Sequence, residues 1–363
     1  MTVQQTIYPI QKAEETPTPR IFTNVMLAAI LFGSCYLDYW SYSVEFHKHP
    51  LAYLDIVQGV ASAPAQYRIG VVDPAEFIAL HSHLALRVIL TLIDLVMGMA
   101  ATFTLLHILR KSDHYRAATN VGKWLAEVTF LMLTLYYLAW LIWYQRPETL
   151  ATAALLAFAL YLLIPSETQG RAARQTIFTQ PPVARAMATQ AAVIGGLLLF
   201  SVCQSLVRAD VAFALDLGIL AVCFVRKERW SILPRRVLAL TAALSTLIVV
   251  AIQYTLMHRV FSNATYGDTA VVQIFHNLRD PLGYPPFLLF TLPFFWTLWC
   301  VLVRRVQISG PTAVSLAGAS LFLCMWSVVG ITQEVRIFLP FALLLLPLTV
   351  TLILNRVTTP KQI

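Results

Sequence analysis

Asp38, in the stretch CYLDYW, closes an apolar run that begins at Phe22. A carboxylate at that depth of a membrane is costly unless it faces a partner or a watery cavity. Gln66, Tyr67 and Arg68 stand together in AQYRIGVVDPAEF, and Glu334 precedes Arg336 in GITQEVRIFLP. A guanidinium is a planar fork of N–H donors that matches a phosphate bidentately, and an adjacent amide, phenol or carboxylate holds the fork in one orientation. The chemistry open to this set is recognition of a phosphate-bearing headgroup beside a carboxylate. Each group also has a plain structural use. Asp38 can end a helix among headgroups, Arg68 and Arg336 can snorkel to lipid phosphate, and Arg87 can pair with Asp94 along one helix face. In DPAE, Asp73 as N-cap, Pro74 at the first helical position and Glu76 read as a capping box that starts a helix.

The elements that must hold these residues are membrane spans. Of the 363 residues 58% are hydrophobic and only 12% charged, far from the balance of a soluble domain. A span needs about 20 apolar residues, and that criterion gives an all-α integral membrane protein of roughly ten helices. They fall at Phe22–Trp40, Leu84–Leu109, Trp124–Tyr144, Leu150–Ile164, Met187–Leu206, Val211–Val225, Val237–Met257, Phe287–Val303, Val314–Ile331 and Ile337–Leu354. The chain then divides into a flexible leader (1–21), one polytopic membrane domain (22–354) and a short tail (355–363).

Lys and Arg alternate between the loops. Arg110, Lys111, Arg116 and Lys123 share a side with Arg171, Arg174 and Arg185, with Arg226, Lys227, Arg229, Arg235 and Arg236, and with Arg304 and Arg305. The positive-inside rule makes that side cytoplasmic, together with both termini, in what reads as a bacterial inner membrane protein. The net charge of +8 is thereby explained without nucleic acid. Three loops face the other way: 41–83, with interfacial helices expected on Leu51, Leu54, Val57 and Val60 and from Asp73; 258–286, with His258 and His276; and 332–336, with Gln333, Glu334 and Arg336. Long ordered loops tend to carry function. The five cysteines form no C-x-x-C pair and have no histidine at ligand spacing. No metal-ligand set or cofactor is expected, though a divalent ion is left open. Walker, dinucleotide-binding and H-E-x-x-H motifs are absent, and with them sequence support for ATP-driven transport, dinucleotide chemistry and zinc proteolysis.

An acid after the first span, a long first outer loop ending in AQYRIGV, about ten spans, and an E-x-R before the apolar IFLPFALLLLPL resemble the multi-spanning GT-C-type glycosyltransferases. That resemblance implies transfer of a sugar from a polyprenyl phosphate to a lipid, glycan or protein acceptor at the outer membrane face, by single displacement. Asp38 is then the base. Arg68 and Arg336 hold the phosphate with Gln66 and Tyr67 beside them, Glu334 orients an arginine, and His258 or His276 supplies a further donor. The implied partners are the lipid-phosphate-linked sugar donor and the surrounding membrane lipids; protein partners are left open. Many members carry two adjacent carboxylates after the first span, whereas here Asp38 is followed by Tyr39 and the next acid is Glu45.

Two other classes compete. A transporter or flippase of a lipid-linked substrate would place functional charge at mid-membrane, where Arg87, Asp94, Glu127 and Asp216 are available. A non-catalytic scaffold of an envelope complex would leave Asp38, Arg68 and Arg336 scattered.

Overall fold

A computed structural model describes residues 18–143, 146–164, 183–227, 230–264, 272–331 and 334–358, which form helices and turns with no strand among them. The expected leader up to Pro17, the segment with Arg171 and Arg174, Arg229, Gln333 and the end of the tail lie outside the described residues. The helices are α1 (Thr18–Lys48), α2 (Leu54–Val57), α3 (Ile69–Ser82), α4 (Leu86–Lys111), α5 (Asp113–Ala117), α6 (Asn120–Ala139) and α7 (Glu148–Leu163). They continue with α8 (Val183–Val225), α9 (Arg235–Thr255), α10 (Ile274–Arg279), α11 (Tyr284–Leu302), α12 (Gly310–Val329), α13 (Leu339–Leu344) and α14 (Leu346–Thr358).

Five of these regions are long and apolar enough to cross a membrane: Arg20–Lys48, Leu86–Lys111, Arg235–Val260, Pro281–Leu302 and Gly310–Val329. A sixth is added if Val335–Leu344 and Leu346–Arg356, bent by 60°, count as one span. The other expected spans fall on α6, which carries Lys123 and Glu127, on the 16-residue α7, and on the two halves of α8. The pattern on α1 is that of a helix in lipid. Phe22, Val25, Phe32, Tyr36 and Trp40 make an exposed apolar stripe, whereas the buried stripe of Thr23, Leu27, Leu31, Cys35, Asp38 and Tyr42 holds the polar groups. The helix starts at Thr18, before the expected boundary at Phe22, and runs past Trp40 to Lys48, so the following loop is shorter than the spacing of apolar residues implies.

The centre of the bundle is α8, which packs against α9, α12, α7 and α3. Its 43 residues do not form one rod, because Arg208 adopts φ −157°, ψ 91° and breaks it. Around Phe338 the rings of Phe290, Phe294, Phe322 and Phe341 pack at centroid distances of 5.4–6.5 Å. Helices in lipid associate through close packing rather than through escape from water, which favours small residues at crossings. Gly218 on α8 meets Gly318 on α12 in this way: a Cβ added at Gly218 would lie 2.8 Å from the Gly318 amide nitrogen.

The segment after α1 folds back over one end of the bundle. Tyr42, Tyr53, Ile56, Val71, Val72 and Ala75 form a buried cluster with Ala151 of α7 and Val207 of α8. Each of the larger apolar side chains among them, removed from water, is worth about 1.5–3 kcal/mol, enough to order a segment that makes few long helices of its own. The expected helix over Leu51 to Val60 shrinks to α2, although Leu51, Val57 and Val60 are exposed as anticipated. Asp73 is not an N-cap. Helix α3 already begins at Ile69, with Pro74 inside it, because Gly70 lets its first turn lie against the break in α8, where a Cβ would approach Leu206 and Val207 to 2.9–3.0 Å. Tyr67 and Arg68 do sit on the turn before that helix, as expected.

At the opposite end Glu127 fastens four elements. It accepts hydrogen bonds from Thr23 (2.6 Å), Arg110 (2.8 Å) and Tyr115 (2.6 Å), on α1, α4 and α5, from its own place on α6. The glycine crossing gives a direct test of packing. Gly218→Ala is expected to lower the thermal midpoint in detergent, corresponding to about 1–3 kcal/mol of overpacking. Gly195→Ala, where a Cβ meets nothing within 4 Å, is expected to leave the midpoint unchanged or slightly raised.

Candidate active site at the loop-covered end of the bundle

Three breaks in regular structure meet beneath the folded-back segment: the turn before α3, the start of α7 and the break in α8. Each delivers an arginine. Arg68 Nη1 lies 2.7 Å from Glu148 Oε1, the first residue of α7. Arg208 grips Asp210 with two hydrogen bonds, Nη2 to Oδ2 at 2.5 Å and Nε to Oδ1 at 3.3 Å. Its third donor, Nη1, reaches the Ile337 carbonyl at 3.1 Å, while the guanidinium stands 5.4 Å from the centre of the Phe322 ring. That contact ties the break to the turn carrying Arg336, whose Nη2 is 3.2 Å from Glu334 Oε2.

The charges act on one another across these elements. Burial works against ionisation of Glu148, but Arg68, Arg146 and Arg208 outweigh it and hold its carboxyl below the usual range. Asp210 is likewise held low against burial, by Arg208 and then Arg68. Burial alone would weaken the charge on Arg68; Glu148 and Asp210 reverse this, and Arg146 opposes them. Three arginines and two carboxylates thus act on one another at this end of the bundle.

A cavity of about 540 Å³ opens beside the cluster. Glu45, Lys48 and His49 from the end of α1, Tyr53, Asp55 and Ile56 around α2, Ala65 and Arg146 line it. Arg146 is common to both: it lines the cavity and its field reaches Arg68 and Glu148.

The residues singled out in the sequence occupy different settings. Arg68 belongs to the cluster, and Arg336, 8% exposed, joins the same end through the Ile337 carbonyl. Asp38 is 1% exposed and its Oδ2 has no hydrogen-bond partner. It lies one helical turn behind Tyr42, whose hydroxyl donates to Asp94 Oδ2 at 2.7 Å and whose ring meets Tyr53 edge-on at 6.1 Å. The cavity lining does not include it. Arg87 stands 5.7 Å from the Tyr39 ring centre. Gln66 is fully buried and serves the loop itself, accepting from the Ala61 amide (2.7 Å) and donating to the Ile56 carbonyl (2.8 Å). Tyr67 packs with Ala63 and Leu256 and donates to the Ala264 carbonyl at 3.2 Å. His258 is exposed and lies against Tyr254, and His276 is exposed on α10. Among the described residues no group of three or more His, Cys, Asp or Glu is placed to hold a metal ion.

Glu148, Arg146, Arg208 and Asp210 went unselected in the sequence. Two signals were there: RPE immediately before an apolar run, and VRADV, which interrupts what is otherwise one long apolar stretch. Comparison with family models, with curated proteins and with solved structures gives no match to this chain.

The ion pair on α7 predicts a pH-dependent stability. A carboxyl held below its unfolded value, near 4.3, contributes stability that is complete above that value and lost as pH falls through the folded one. With side chains 30% and 11% exposed, the Arg68–Glu148 pair falls between surface and buried cases, and Glu148→Gln is expected to cost about 1–2 kcal/mol near neutral pH. The gap in thermal midpoint between wild type and Glu148→Gln, followed from pH 7 downwards, should close below about pH 4.

Proposed function

We propose that this chain is a membrane glycosyltransferase that moves a sugar from a polyprenyl phosphate to a lipid, glycan or protein acceptor at the outer face of a bacterial plasma membrane, using a carboxylate as base. What supports this reading is the gathering of Arg68, Arg146 and Arg208, with the Arg336 turn attached, beside a cavity whose wall also carries carboxylates. Phosphate departure in a single displacement needs preorganised positive charge, and the acceptor hydroxyl needs a group to take its proton. A lipid carrier keeps its tail in the bilayer and offers only its head to an interfacial cavity, which suits a site built from helix ends and a folded-back loop. In this arrangement α6, α7 and the halves of α8 cross the membrane as short or broken spans, completing the set of ten with both termini cytoplasmic.

A transporter of the lipid-linked substrate is the second reading, and one observation favours it: Asp216, 2% exposed within α8, accepts a 2.6 Å hydrogen bond from Ser245, which also bonds Ser201. Charge buried along a path is what transport requires.

Topology is tested by cysteine labelling from outside in a cysteine-free background. His49→Cys and His276→Cys should be modified, whereas Arg116→Cys and Arg236→Cys should not. Function is tested in proteoliposomes with a labelled polyprenyl-phosphate sugar. Wild type should release free polyprenyl phosphate and glycosylated acceptor, and Arg68→Lys, which keeps the charge and loses the fork, should bind the donor about tenfold more weakly. Movement of intact donor between leaflets with no transfer would replace the enzyme by the transporter.

A further inference from the structure

Asp38, Tyr42 and Glu45 follow one another along a single face of α1, at i, i+4 and i+7. Burial changes sharply along that line. Asp38 and Tyr42 are each 1% exposed, whereas Glu45 is half-buried and lines the cavity. Tyr42 closes the way between them: its hydroxyl is bonded across to Asp94 on α4, and its ring packs against Tyr53. Tyr53 is itself fixed from a second side by Phe46, at 6.0 Å, and holds a left-handed backbone (φ 67°) that a tyrosine adopts only under such constraint. An acceptor hydroxyl must come within about 2.6–3.2 Å of its base. To reach Asp38 it would have to displace two packed tyrosines. To reach Glu45 it need only enter the cavity.

Resting on the transferase reading above, we infer that this cavity seats the phosphate-bearing head of the donor, with Arg146 and Lys48 at the phosphate, and that Glu45 is the base. The volume of about 540 Å³ lies within the range of roughly 300–1,000 Å³ usual for small-molecule sites. Arg146 and Lys48 supply the charge, and Arg146 also lies close enough to Glu148 to lower its carboxyl range. In the reaction the acceptor oxygen forms a bond to the anomeric carbon while its proton passes to the Glu45 carboxylate. The bond from the anomeric carbon to the phosphate oxygen breaks, and its electron pair leaves with the polyprenyl phosphate, which departs as a dianion between Arg146 and Lys48. One negative charge is lost at Glu45 and one gained at the phosphate, so the total is conserved.

The experiment has a binding arm and a turnover arm, both on the full chain in detergent or liposomes. Citronellyl phosphate is the binding probe, with citronellol as the uncharged control and inorganic phosphate as competitor. Arg146→Gln should weaken citronellyl phosphate binding about tenfold and leave citronellol unaffected, with equimolar inorganic phosphate failing to compete. Glu45→Gln should bind the probe as wild type does and lose about 10²-fold or more in transfer. Glu45→Ala should regain part of that turnover in added formate, a rescue that loss of a purely structural contact would not show. Unchanged probe binding in Arg146→Gln would overturn the phosphate site. Transfer at the wild-type rate in Glu45→Gln, most tellingly with transfer lost in Asp38→Asn, would overturn the base. If wild type binds the probe through Arg146 yet transfers no sugar, the transferase reading falls and the role of Glu45 with it, while the phosphate site stands.

Discussion

A straight helix of 43 residues would reach about 65 Å, roughly twice the ~30 Å hydrocarbon thickness of a bilayer. The chain from Val183 to Val225 does not run straight, and it turns at Arg208. A backbone break at such a place leaves amide groups without helical partners and a guanidinium that has to be neutralised. Asp210, two positions on, does the second with a bidentate grip, and the Ile337 carbonyl accepts from Nη1. Gln204 reaches the Arg208 carbonyl at 3.2 Å and so recovers part of the first. Everything at the loop-covered end is fitted to this turn. Helix α3 starts against it through Gly70, the buried cluster of the 41–83 segment includes Val207, and the turn before α13 is fastened to it.

The distribution of charge follows from the same constraint. At the other end one carboxylate, Glu127, is satisfied by three donors on three helices, and a group so completely paired has no capacity left for a ligand. Around Arg208 charges of both signs stand beside a cavity, whose wall carries Glu45 and Asp55 as well as Lys48 and Arg146. Charge engaged on every side by fixed partners holds a structure together, whereas charge lining open volume can do chemistry. That difference, more than the mere presence of arginine, separates the two ends of the bundle.

How much of this the sequence disclosed depends on the physical origin of each feature. The helical, membrane-spanning character was legible because it rests on composition and run length. The folding back of the first long segment was legible in outline, since Tyr67 and Arg68 stand on the turn where the motif put them. The capping reading of Asp73 failed because tertiary contact at Gly70 started the helix a turn earlier, and local propensity carries no knowledge of such contacts. Arg68 was recognised as needing an anion, but its partner Glu148 is separated from it in sequence by four helices, α3 to α6, and could not be read from spacing. Asp38 looked functional because a carboxylate in an apolar run is costly. In the structure its Oδ2 has no hydrogen-bond partner, while Tyr42, one turn on, gives its hydroxyl to Asp94 and packs its ring on Tyr53, and none of these contacts could be read from the order of residues.

Gln66 shows how a residue chosen for recognition can serve it at one remove. Its side-chain amide joins the Ala61 amide to the Ile56 carbonyl, closing the stretch that carries Asp55 and Ile56 on the cavity wall. Arg68, two residues further on, is thereby delivered to Glu148. One fully buried amide thus fixes the cavity wall and the first ion pair of the cluster together. The backbone hydrogen bonds of this loop are local, closing one turn at a time, and a buried glutamine, with two donors and an acceptor, has the valence to join its two arms and hold both surfaces in register.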